Sequence, residues 1–177
     1  MGSSEKMGKW RAVSVEAASD DGSRILVPPD GAGREFPNLP ILSFDDFFSR
    51  SCGPCTCVTI DFQTPLRLLH KGVPLREIGF SAVAGALFRR ISSVAYYYGG
   101  EELSHDFKWL AERSREVDCS RSGLKWINRG GGLQGVEGAV TFSGELTEFI
   151  PFLELGSRLN IGKGAAYGMG NYSYSAG

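Results

Sequence analysis

Residues 135–172 read GVEGAVTFSGELTEFIPFLELGSRLNIGKGAAYGMGNY, and the order of elements within them decides the fold. Val136 to Gly144 alternates apolar and polar residues as a half-buried strand does. TEFIPFLELG (147–156) then reads as a helix, with Thr147 as its cap, Pro151 near its first turn and Gly156 at its end. A glycine-rich stretch follows, and AAYGMGNYSY (165–174) alternates in the manner of a closing strand. The glycines therefore occupy a helix-to-strand connection.

That placement excludes the usual glycine-rich nucleotide sites. A P-loop needs G-x-x-x-x-G-K-[ST] running from a strand into a helix. Here Gly156 and Gly162 are one residue too far apart, and Lys163 precedes Gly164 instead of a hydroxyl for magnesium. The spacing of Gly162, Gly164, Gly168 and Gly170 also fails the G-x-G-x-x-G dinucleotide pattern. A backbone that approaches phosphates closely, with Lys163 adding charge, remains open, as does a tight connection with no ligand.

Outward from this stretch, CVTIDFQT (57–64) alternates Val58, Ile60 and Phe62 with polar neighbours, and Pro65 is expected to end that strand. FSAVAGALFRRISSVAYYYGG (80–100) places Phe80, Val83, Ala84, Leu87, Ile91, Val94 and Tyr98 at helical spacing, with Gly99 and Gly100 as a stop. Gly85 in its middle costs about 1 kcal/mol relative to alanine, which predicts close packing or a ligand there. A further strand is expected around Ser122–Asn128, joined to Val136–Gly144 by the glycine-rich RGGGLQG. Residues 56–175 thus spell strand, helix, strand, strand, helix, strand. That βαββαβ order predicts an α+β, ferredoxin-like domain over 56–177, with both helices on one face of an antiparallel sheet.

Residues 1–55 read as a hairpin and connector belonging to the same domain. WRAVSVEAA (10–18) and RILVPP (24–29) flank the turn-rich SDDGS, which gives an N-terminal β-hairpin extension. Pro37 and Pro40 interrupt the connector, and Ser43 is placed to cap a short helix in SFDDFFSR.

The chain has 177 residues and a net charge of −1, so it is no polycation. Its charge is nonetheless uneven. Residues 56–135 are net +3, with eleven basic and eight acidic side chains; the segments on either side are each net −2. Nucleic-acid binding would therefore work through a local patch. No apolar run approaches the roughly 20 residues of a membrane span, and the first residues lack a signal-peptide core. A cytoplasmic location and no membrane partner are expected.

Cys52, Cys55 and Cys57 (CGPCTC) and the distant Cys119 raise a zinc or redox question. The C-x-x-C pair precedes a strand, whereas a thioredoxin-like motif precedes a helix, and no second knuckle completes a zinc site. Buried or idle thiols are the favoured reading, with a small zinc-binding interaction module as an alternative.

Three stretches together resemble the RAMP superfamily of CRISPR systems: VTIDFQTPLRLLHKGVPL, ALFRRISSVAYYYGG and the opening segment 135–172. More narrowly, the chain looks like the C-terminal half of a CRISPR precursor-RNA-processing endoribonuclease. Members are usually two tandem ferredoxin-like domains, so the resemblance implies that an N-terminal domain is missing and with it, in much of the family, the catalytic histidine. It implies binding of CRISPR repeat RNA and cleavage by attack of a ribose 2′-hydroxyl on the adjacent phosphate, with no metal and no cofactor. A noncatalytic RAMP subunit, holding guide RNA or contacting other effector-complex subunits, is the alternative.

On this reading His70 is the candidate catalytic side chain, because it follows a strand beside Arg67 and Lys71. His105, in EELSHDFKW, sits among acids that would repel RNA. Arg67, Lys71, Arg89, Arg90, Arg129, Gly162, Lys163, Gly164, Gly168 and Gly170 are the candidate RNA contacts.

Overall fold

A computed structural model describes residues 15–18, 24–27, 43–49 and 53–177. The chain divides into two compact units, residues 1–44 and 45–177. In the first, β1 (Val15–Ala18) pairs antiparallel with β2 (Arg24–Val27), Val15 facing Val27. This is the expected hairpin over its described residues. The turn between its strands and the Pro37–Pro40 connector lie outside the described residues, as does Cys52.

The second unit is built on a five-stranded antiparallel sheet. β3 (Cys57–Leu66) lies at its centre between β8 (Gln134–Ser143) and β9 (Tyr172–Ala176). Beyond β8, the edge is shared by two short strands, β6 (Asp118–Ser122) and β7 (Lys125–Asn128). Gly123 and Leu124 separate them, and the Gly123 amide donates to the Ala139 carbonyl at 2.8 Å. What reads as one strand over 122–128 is therefore two.

One face of the sheet carries the core. Val58, Ile60 and Phe62 of β3 and Val140 and Phe142 of β8 are buried, and α2 (Phe80–Val94) and α4 (Ile150–Leu159) cover them. Each large side chain removed from water in this layer contributes roughly 1.5–3 kcal/mol. Phe80 meets Phe142 and Phe149 edge-on at 5.3 and 4.9 Å, within the favoured range for aromatic pairs. On the opposite face the alternate residues are polar. Thr59 and Thr141 share a hydrogen bond at 3.0 Å, Ser143 reaches Ser120 at 3.0 Å, and Gln63 reaches Ser173 at 3.3 Å.

Several boundaries differ from the periodicity. Pro65 does not stop β3; the strand continues to Leu66 through a register shift against β8 between Phe62 and Leu66, a place where a missing N–H is tolerated. Thr147 does not cap α4. Its hydroxyl accepts from the Cys55 amide at 2.9 Å, and residues 147–149 form a tighter turn before the helix. Gly156 lies inside α4, because a Cβ there would run into Leu87 and the Tyr172 hydroxyl. The stretch 165–167 is a single 3-10 turn, and β9 starts only at Tyr172.

Three elements have no counterpart in the periodic reading. β4 (Leu69–His70) and β5 (Val73–Pro74) form a small hairpin after β3. α3 (Phe107–Arg113) is capped by Asp106, whose carboxylate accepts from the Trp109 amide at 2.9 Å. The end of the expected helix widens into a π-helical turn over Ala95–Gly99, closed by Gly100 at φ 71°, and Tyr98, expected on the apolar stripe, is 88% exposed. α1 (Phe44–Ser49) begins immediately after Ser43, and its Phe48 packs against Phe152 at 5.0 Å. Among the described residues no helix is long and apolar enough to cross a membrane.

Candidate nucleic-acid interface

The glycine stretch is laced onto the end of β3. Thr64 Oγ1 donates to the Gly168 carbonyl at 2.8 Å and accepts from the Asn171 amide at 2.9 Å. The Gly170 amide donates to Pro65 at 3.1 Å, and the Lys163 amide donates to Arg67 at 2.9 Å. These bonds hold the loop along residues 63–67 and bring Lys163 beside Arg67. Gly162, Gly164, Gly168 and Gly170 have φ of 85°, 87°, 84° and 68°, backbone that a side chain disfavours. At Gly170 the demand is twofold, since a Cβ would also overlap the Ile161 carbonyl.

Between this loop and α2 lies a groove of about 420 Å³, lined by Arg67, Arg89, Arg90 and Lys163 together with Leu68, Leu69, Ala86, Ser93 and Gly162. Arg67 follows the end of β3 and is half-buried between the buried Leu66 and Leu68. Its Nε is buried with no hydrogen-bond partner. Arg90 spends its Nε on the Leu159 carbonyl at 3.1 Å, fixing α2 against the end of α4. Arg89 lies one turn beyond Gly85, and its guanidinium takes the space over that glycine, 3.4 Å from where a Cβ would stand. Four cations line one cleft, with no carboxylate among the lining residues.

The other candidates lie elsewhere. His70 and Lys71 sit on the exposed β4–β5 hairpin; His70 follows the groove-lining Leu69 but does not line the groove itself. Arg129 pairs with Glu137 at 2.7 Å across the β7–β8 hairpin. Gly164, Gly168 and Gly170 shape the loop without lining the cleft. His105 is wedged among aromatic rings, 4.4 Å from Phe48 and 5.3 Å from Phe152.

Of the cysteines, Cys55 is buried, Cys57 half-buried and Cys119 exposed; Cys57 and Cys119 stand on strands separated by β8. Among the described residues no three His, Cys, Asp or Glu side chains gather as metal ligands.

Residues 60–172 match the CRISPR-associated endoribonuclease Cas6 family. The chain belongs to the Cas6 family. The sheet and helices agree: Cas6 of Thermus thermophilus superposes with a TM-score of 0.61 at 16% identity, over 87% of this chain and 66% of that one. A Cas6 product complex gives 0.61 at 16% identity, over 86% and 61%. A partial Cas6-RT-Cas1–Cas2 complex gives 0.56 at 18% identity, over 70% of this chain and 23% of that chain. The chain thus spans about two thirds or less of these Cas6 structures. No curated protein matches the sequence. The shared Cas6 fold is the βαββαβ arrangement that the order of elements predicts.

Ser93, which lines the groove, and the tyrosines beyond it carried no signal in the sequence reading. The stripe Arg89, Ser93, Tyr97 at i, i+4, i+8 could have shown them on one helix face.

Proposed function

We propose that this Cas6 chain binds CRISPR repeat RNA by seating its phosphates between the glycine loop and α2, as part of an endoribonuclease that processes precursor CRISPR RNA. The observation that carries this reading is the convergence of Arg67, Arg89, Arg90 and Lys163 on one groove, with the Arg67 Nε left unpartnered. Guanidinium forks suit phosphate oxygens, because two donors meet two acceptors in one plane.

Cleavage would proceed by attack of a ribose 2′-oxygen on the adjacent phosphorus. A base takes the 2′ proton as that bond forms. The P–O5′ bond breaks, and an acid protonates the leaving oxygen, giving a cyclic phosphate and a 5′-hydroxyl. Negative charge builds on the non-bridging oxygens, and arginines fixed beside them lower the barrier. His70, at the rim beyond Leu69, is the candidate for the proton transfer. Its exposure outside the groove lining favours a second reading, a noncatalytic RNA-holding subunit within a CRISPR assembly.

Incubation with the cognate repeat RNA in EDTA separates the two. Binding is the expected outcome; cleavage that persists in EDTA and disappears in His70→Ala, with binding intact, would select the first reading. Binding without cleavage in the unaltered chain would select the second reading, and no binding would overturn both.

A further inference from the structure

The groove does not end at Arg89. Ser93 also lines a second cavity of about 380 Å³, whose other walls include Tyr96, Tyr97, Glu101 and Glu102. Tyr97 follows Arg89 by eight residues, roughly 12 Å along a helix axis, and the two stand on one stripe with Ser93 between them. The π-helical turn over residues 95–99 presents Tyr96 and Tyr97 here, and such turns gather at functional sites. Tyr97 is 77% exposed; Tyr96, 55% exposed, meets its edge at 5.3 Å in a T-shaped pair. Two neighbouring tyrosines this exposed offer open aromatic faces.

From this continuity we propose that an unpaired base of the RNA strand held in the groove stacks on Tyr97, with Tyr96 supporting the ring from its edge. The inference rests on the phosphate-binding reading of the groove.

The chemistry divides along the stripe. The groove offers cations and suits phosphates. The second cavity offers aromatic faces and two carboxylates, which repel phosphate but accept hydrogen bonds from a base's amino or imino groups. Base stacking on aromatic side chains is the ordinary means of holding single-stranded RNA. The sheet face that serves this purpose in RRM domains is covered here by hydroxyls, from Thr59, Thr141, Ser143 and Ser173. The aromatic platform has moved to the helical side, where the groove lies.

The test uses a short single-stranded RNA of the repeat carrying 2-aminopurine at successive positions, whose fluorescence is quenched when the base stacks. One position should be quenched on binding. Tyr97→Ala should remove that quenching and weaken binding about five- to 150-fold with the salt dependence unchanged, the range expected for one stacked base. Tyr97→Trp should retain both. Because the side chain is exposed, thermal melting of Tyr97→Ala should match the parent. If Tyr97→Ala bound and quenched as the parent while Arg89→Ala weakened binding, stacking would be refuted, the groove would stand, and the tyrosines would pass to a protein partner. If Arg89→Ala were also without effect, the groove reading would fail with it.

Discussion

The hydroxyl of Tyr172 is buried between the sheet and α4, where it donates to the Leu153 carbonyl at 2.7 Å. Its ring meets Phe62 at 5.7 Å, and its tip fills the space that Gly156 leaves open in α4. Burial pushes this phenol well above its ordinary pKa, and nearby Tyr174 and Glu154 push the same way. In the unfolded chain the phenol ionises near pH 10. The folded state holds the proton longer, so its contribution is complete below that pH and is lost as pH rises above it. Tyr172→Phe should cost about 0.5–1.5 kcal/mol at neutral pH through the lost hydrogen bond. Above pH 10 the gap to the parent should narrow, because phenylalanine has no proton to lose. Urea unfolding followed across that range checks both statements; a gap that widened with pH would contradict the assignment.

At the scale of elements, the glycine loop is a closing device before it is a binding one. Gly170→Ala should destabilise the fold by more than about 1–3 kcal/mol, since left-handed backbone and overlap with the Ile161 carbonyl add together. Gly168→Ala has the same backbone strain but open space around the Cβ, and should cost only about 1–2 kcal/mol. Thermal unfolding of the two variants side by side measures the difference. The order of strands and helices was legible because stretches of β3 (Val58, Ile60, Phe62) and β8 (Val140, Phe142) alternate and α2 keeps a helical period. Their ends were not, where a tertiary partner overrides local chemistry: the Cys55 amide takes Thr147, and Tyr172 and Leu87 require Gly156 inside a helix. α3 escaped because seven residues with one buried leucine barely show a period. The cationic residues were legible singly, but no local pattern says that Arg67 and Lys163 share a cleft while Arg129 turns to Glu137.

Across the whole molecule a net charge of −1 conceals the site. Three remote segments build it: the residues after β3, one face of α2 and the loop after α4. The sheet's register and the bonds from residues 63–67 to the loop bring them together. The central claim is that this assembled groove holds RNA phosphates. It is tested most directly by the salt dependence of repeat-RNA binding in the parent and in the Arg67→Ala/Lys163→Ala double variant. The double variant should bind more weakly, and its slope of log affinity against log salt should be shallower by roughly 1.4–1.8, two phosphate contacts' worth of counterion release. Parallel lines of equal affinity would contradict the account.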